Sequence, residues 1–350
     1  MTDNSTRKIA VTGATGMVGG HLVAELVRRG YGDITLIVRN TSRLSNMHKA
    51  FGYMGMEVPE EGITIVESEI TDTVSMARIL SGIDTVFNCA AMIMSGDMTP
   101  QELIDNNVSI ARSVVDSSLA AGVRKLIHIS SISALGVPTG EGVVIDETFE
   151  TDSIENDAPY GRSKYYSEKE VWRGAEAGLE VIVVSPGVIL GEWDWNAGGS
   201  AAIIPVVSSG LPVYTMGIMS YVDVRDVVRA MVDLDSVPQA VGERFILAAS
   251  DLTYKELITY SAKCADKPRP FIRVGKGMIV VAYGCMKTLI SLRLMKDRGV
   301  TFRNISSIIR GNRYDGTKIT RYCDFEYTPI EDTIERTVIQ CKKEKRRKPD

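Results

Sequence analysis

Residues 8–20 read Lys-Ile-Ala-Val-Thr-Gly-Ala-Thr-Gly-Met-Val-Gly-Gly: a short β-forming run, glycines at 13, 16 and 19, then the spacing of a helix. No other stretch restricts the fold so tightly. Glycines between a strand and a helix serve three separate needs. Gly13 permits the tight turn, Gly16 lets backbone amides approach a pyrophosphate, and Gly19 allows the helix to lie close on the strand. The helix N-terminus then offers free N–H groups and the positive end of its dipole. Thr15, Met17 and Val18 belong to the same turn, so the backbone from Gly13 to Gly19 is the candidate phosphate cradle.

The chain continues in the rhythm this motif requires. Strand-like runs at Ile9–Thr12, Ile34–Val38, Ile63–Val66, Thr85–Asn88, Lys125–Ile129 and Glu180–Val184 alternate with helical patterns at Met17–Arg29 and Pro100–Ala121, the latter stopped by Gly122. That alternation predicts an α/β chain: a Rossmann-type, doubly wound parallel sheet with helices on both faces. After about residue 191 the rhythm changes. Val222–Leu234, Lys255–Cys264 and Lys276–Met295 read as helices, and Arg244–Leu247 as a late strand. The expected organisation is a dinucleotide-binding domain over 1–190, rejoined by a segment near 220–250. A smaller C-terminal substrate lobe covers 191–340, and residues 341–350 form a basic, solvated tail.

Charge and cysteines narrow the classes. The formal net charge of −4 gives no global field for nucleic acid. Five scattered cysteines with no C-x-x-C pair argue against a metal site and a disulfide framework, and for reduced thiols in a cytoplasmic protein. Met1–Lys8 is polar and carries no signal-peptide run. The apolar run near Met278–Met286 ends at Lys287, short of the roughly 20 residues a transmembrane helix needs.

Two features speak to chemistry. Tyr160 and Lys164 stand at i and i+4 behind Pro159, before a polar helix over Ser163–Trp172, and so share a helical face. A nearby ammonium and a helix N-terminus would both lower the phenol's affinity for its proton, making Tyr160 a general acid or base. The end of the second strand reads Val38-Arg39-Asn40. Arg39 occupies the place where an NAD site carries a carboxylate for the ribose 2′-hydroxyl. A guanidinium there suits the 2′-phosphate of NADP(H), with NAD(H) as the alternative.

The spacing T-G-x-x-G-x-x-G, joined to Y-x-x-x-K, resembles the extended branch of the short-chain dehydrogenase/reductase superfamily, the epimerase/dehydratase group. The resemblance implies further roles. His128-Ile129-Ser130-Ser131-Ile132-Ser133 matches the catalytic-serine strand, with Ser131 as the serine and Ser133 as the alternative. Asn107, or its neighbour Asn106, matches a helix asparagine that bends its helix and orders a water near the lysine. Glu69 and Ile70 stand where the family has an Asp-aliphatic pair beside the adenine. Asn88, Ala90 and Ala91 match a segment beneath the cofactor. Pro186 and Val188 match a segment touching the nicotinamide, with Ser185 replacing the usual arginine. Asp223 and Asp226 would cap a helix and fix a loop. Members often form homodimers.

The resemblance is closest to dihydroflavonol reductases and 3β-hydroxysteroid dehydrogenases. It implies an NADPH-dependent oxidoreductase that reduces a ketone or aldehyde, the alternative being a nucleotide-sugar epimerase or dehydratase with tightly bound NAD. Either acts on a small-molecule substrate, without metal, nucleic acid or a transmembrane segment. The apolar stripe Met278, Ile279, Val280, Val281, Leu289, Ile290, Leu292 reads as pocket, core or subunit contact. Met92, Ile93 and Met94 would line a pocket. Trp193 and Trp195 either flank a ligand or pack the lobe.

Overall fold

A computed structural model describes residues 4–95, 97–138, 143–151, 154–195, 199–291 and 311–347. Five strands, β1 (Lys8–Thr12), β2 (Asp33–Val38), β3 (Ile63–Glu67), β4 (Thr85–Asn88) and β5 (Lys125–Ile129), alternate with α1 (Met17–Arg28), α2 (Leu44–Tyr53), α3 (Thr73–Ile79) and α4 (Pro100–Ala121). Helix α5 (Pro159–Glu176) comes next. Strands Glu180–Pro186 and Glu243–Leu247 complete a seven-stranded sheet in the order β3, β2, β1, β4, β5, 180–186, 243–247. Every pairing in it is parallel. The chain winds outward from β1 in one direction and from β4 in the other. The crevice at their carboxyl ends is where such a sheet receives a ligand.

Local chemistry explains the edges of these elements. Thr99 and Glu102 form a capping box ahead of Pro100, and Gly122 closes α4 in the left-handed conformation at φ 71°. Apolar clusters cover both faces of the sheet. One gathers Leu22, Leu26, Leu36, Phe51 and Phe245, and the other Ile37, Met76, Val86, Val114, Leu126 and Val171.

The second half differs from expectation in four places. The helix expected over Val222–Leu234 is strand as far as Asp223 and helix only over Val224–Asp235, because Asp223 caps it by accepting from the Arg225 amide at 2.8 Å. Ile218–Asp223 pairs with Val188–Leu190 and Ser250–Thr253 in a separate three-stranded sheet. The basic tail is a helix as far as Arg347, its packed start bearing buried Ile334, Val338 and Cys341. Lys342 pairs with Asp266 at 2.7 Å, and Glu344 accepts from Tyr53 and Trp195, each at 2.7 Å. The helix at Lys276–Ser291 is not core where its side chains are described, for Met278, Val280 and Val281 are exposed. Leu292 and the expected helix beyond 291 lie outside the described residues, as do the side chains of Leu289 and Ile290.

Candidate active site

The glycine loop takes the shape its sequence demands. Gly13 has φ +71°, and a Cβ on it would stand 2.6 Å from the Cys89 carbonyl carbon after β4. A Cβ on Gly19 would meet the Gly13 oxygen at 2.2 Å, so α1 touches the turn backbone to backbone. Gly16 is exposed, and among the described residues a Cβ on it would meet only the Gly13 oxygen, at 3.3 Å. It is the N-cap of α1 and supplies no side chain to the first-turn amides. Those uncapped donors fit a phosphate group. Thr15 is half-buried in this turn, Met17 packs toward Trp193, and Val18 lies against the core.

The same crevice receives the ends of β4 and β5. Asn88 is buried, its side chain accepting from Thr12 Oγ1 at 2.7 Å and meeting His128 Nδ1 at 3.0 Å. Beyond it Ala90, half-buried, and Ala91, exposed, present small side chains. Thr12, the threonine that opens the T-G-x-x-G-x-x-G spacing, also accepts from the Ala90 amide at 3.3 Å and so holds the two strand ends in register.

Ser131 lies two residues past β5 and caps a short helical turn, Ile132–Leu135, its Oγ accepting from the Ser133 amide at 3.1 Å. Helix α5 begins at Pro159, so Tyr160 lies in its first turn rather than ahead of it. A Cβ on Gly161 would stand 2.7 Å from the Ser133 carbonyl oxygen. The glycine inside Y-x-x-x-K thus lets α5 close on that turn, and the Ser131 hydroxyl acts on the Tyr160 phenol so as to favour its anion. Lys164 is buried, and its Nζ donates to the Ile129 carbonyl at 3.1 Å.

Asn107 is the inward residue of its pair, since Asn106 is exposed. Its amide group is committed to Met92, accepting from the backbone N–H at 2.7 Å and donating to the C=O at 3.0 Å, and it also donates to Ser163 Oγ at 3.1 Å. Ser163 donates onward to the Tyr160 carbonyl at 2.8 Å. Asn107 therefore couples α4 and the loop after β4 to the turn that carries Tyr160.

Burial governs the electrostatics. It pushes the Tyr160 phenol up to about 12, with the Ser131 hydroxyl working against that. The depression expected from Lys164 is not found. The reason lies in the lysine itself, which burial pulls down to about 8 while Glu168 and Cys89 oppose it. His128 is held neutral, down at about 3, by burial and then by the Lys164 charge.

Toward the outer end of the crevice, Arg39 is exposed just past β2 and makes no ion pair among the described residues. Glu69 is exposed in the turn after β3, where its carbonyl accepts from the Asp72 amide at 3.0 Å, and Ile70 is buried beneath it. Pro186 is buried and Val188 half-buried at the opposite side of the site. Gly187 between them lets the strand pass the Ser220 carbonyl, which would lie 2.5 Å from a Cβ there. The tryptophans are structural in their contacts: Trp193 is 3% exposed against Ala50 and Ala201, and Trp195 donates to Glu344. Asp226 accepts from the Thr328 amide at 2.7 Å and fixes that loop. No group of three or more metal-ligating His, Cys, Asp or Glu side chains occurs among the described residues. Nor is any described helix long and apolar enough to cross a membrane.

Comparison with known proteins agrees with this geometry. Residues 9–247 match the model of the NAD dependent epimerase/dehydratase family. Sterol demethylase protein B of Methylococcus capsulatus is 28% identical over 269 residues, 75% of this chain and 76% of that protein. A putative dihydroflavonol 4-reductase of Synechocystis is 26% identical over 264 residues, 74% of this chain and 73% of that protein. The crystal structure of a yeast methylglyoxal/isovaleraldehyde reductase complexed with NADPH superposes with a TM-score of 0.75 at 16% identity, covering 97% of this chain and 100% of that one.

Proposed function

Because the chain belongs to the NAD dependent epimerase/dehydratase family and is an NAD(P)-dependent enzyme of the extended short-chain type, we propose that it reduces a ketone or aldehyde with NADPH, Tyr160 giving the proton. The observation that carries this reading is the meeting of Ser131, Tyr160 and Lys164 at the end of β5, with Tyr160 held in its protonated form. A phenol that keeps its proton at neutral pH suits the acid needed when a carbonyl is reduced.

Bound NADPH supplies the hydride that reaches the carbonyl carbon. The residues supply everything else. Tyr160 O–H transfers its proton to the carbonyl oxygen as that oxygen gains charge, giving the alcohol. The Ser131 hydroxyl donates a hydrogen bond to the same oxygen, a donor aimed where charge develops. Lys164 would hold the ribose beside Tyr160. The amides of Gly13 to Gly19, with Thr15, Met17 and Val18, hold the pyrophosphate, and Arg39 takes the 2′-phosphate. Glu69, Ile70, Ala90 and Ala91 border the adenosine side, with Asn88 shaping the wall from beneath. Pro186 and Val188 border the nicotinamide. The names of the sterol and dihydroflavonol relatives favour a carbonyl on a largely apolar molecule.

The test is loss of nicotinamide absorbance with a panel of apolar ketones and aldehydes, run beside sugar nucleotides. NADPH consumed one-for-one with alcohol is expected. Conversion of a sugar nucleotide with no net use of cofactor would overturn the reductase reading and establish an epimerase or dehydratase.

A further inference from the structure

We propose that Glu168 is a positioning residue of this site: its buried carboxylate clamps the strand end that carries Ser131 to the helix that carries Lys164, and its charge keeps Lys164 cationic. The inference rests on the roles proposed for Tyr160 and Lys164.

Glu168 lies one helical turn beyond Lys164 on α5, on the same face, and is 2% exposed. A carboxylate this deep is costly unless paired and hydrogen-bonded. Both of its oxygens are engaged. One accepts from Ser130 Oγ, the residue before Ser131, and the other pairs with the Arg244 guanidinium on strand Glu243–Leu247. Arg244 is held in turn over the Trp172 ring, 6.0 Å from its centroid. One side chain therefore joins β5, α5 and the last strand of the sheet directly behind the site.

Lys164 has no carboxylate within ion-pair distance among the described residues, and its Nζ donates only to the Ile129 carbonyl. Burial works against its charge, and Glu168 is the foremost group opposing that effect. The other titratable groups facing it do not carry charge. Cys89, after β4, is a thiol pushed up to about 12 by burial. His128, on β5, is held neutral by burial and by Lys164 itself. Tyr160, on α5, keeps its proton. Glu168, with Arg244 on its far side, is the carboxylate on this helix face that favours the lysine's ammonium form against burial.

The experiment monitors Lys164 directly, by NMR of protein labelled with carbon-13 at the lysine ε-carbons, the Lys164 signal being assigned by its loss in Lys164→Met. In Glu168→Gln, which keeps the shape and removes the charge, the Lys164 titration should move down by at least about half a pH unit, a threefold weaker hold on the proton. The alkaline fall in turnover should move with it. Glu168→Asp keeps the charge and Ser130→Ala keeps the carboxylate, so each should lower turnover yet leave the titration within about 0.2 pH unit. An unmoved titration in Glu168→Gln overturns the proposal, and so does an equal movement in either control. Because the titration needs no substrate, a wild-type protein that reduces no carbonyl compound would count against the reductase reading and leave this test intact.

Discussion

The two ends of the central sheet treat charge in opposite ways. At the amino end the charges neutralise one another. Arg7, just before β1, pairs with Asp84 at 2.8 Å and Asp235 at 2.5 Å. Arg124 reaches Asp84 at 3.0 Å, and Lys125 reaches Asp235 at 3.4 Å. Burial alone would push Asp84 up, but hydrogen bonds from Arg124 and Arg7 outweigh it and hold the carboxyl well below the usual carboxylate range. At the carboxyl end the polar groups are left available: first-turn amides of α1 with no side-chain cap, a guanidinium at Arg39 with no ion pair among the described residues, and a phenol and ammonium whose proton affinities burial has moved. The same strands thus end in a fastening on one side and a reactive surface on the other. Charges that have found partners in the fold stabilise it, and those that have not are where a ligand gains most.

This contrast can be broken by variants at each end. The largest effect is expected at the carboxyl end. Tyr160→Phe should cut turnover about 1000-fold, some 4 kcal/mol of barrier, while NADPH affinity and melting temperature hold. Comparable turnover in the variant would remove Tyr160 from the chemistry. Arg7→Met should show the reverse pattern. Denaturant unfolding should lose about 3 kcal/mol, since buried Asp235 keeps only its longer contact with Lys125 and Asp84 loses a donor as well, and turnover of the remaining folded protein should match wild type. A variant that stays stable but loses activity would erase the distinction between the two ends. A smaller effect is expected from pH. Lys164 is cationic below its value of about 8 and loses its proton as pH rises through it. Turnover in reduction should therefore fall on the alkaline side, by about tenfold one pH unit higher if only the cation supports the reaction. A rate that climbs through that range would contradict the role of the charge.

Legibility in the sequence tracks the range of the forces involved. β4, β5 and α4 match their expected bounds to the residue, because contiguous apolar runs, Pro100 and Gly122 mark them locally. Helix α2 has no comparable signal, since it buries only Met47, Ala50 and Phe51 and rests on contacts with α1 and Trp193. The C-terminal helix reads as a tail in sequence because its support is distant: Arg336 pairs with Glu192 at 2.9 Å and also with Asp223. In the site, the glycines and Y-x-x-x-K announce themselves by spacing. Glu168 carries a signal as well, a carboxylate four residues past the lysine, which acquires meaning only once Ser130 and Arg244 are seen to converge on it. Sequence position alone singles out Arg39, at the end of β2; that Arg7 is spent on Asp84 and Asp235 is a fact of the fold.

The most direct test of this contrast is a fluorescence titration of the purified protein with NADPH and with NADH, repeated on Arg39→Ala. If the exposed Arg39 guanidinium at the carboxyl end is reserved for a 2′-phosphate, wild type should prefer NADPH by about tenfold or more, about 1.4 kcal/mol, and the variant should lose that preference without losing NADH affinity. Equal binding of the two cofactors by wild type, or equal losses in the variant, would contradict it.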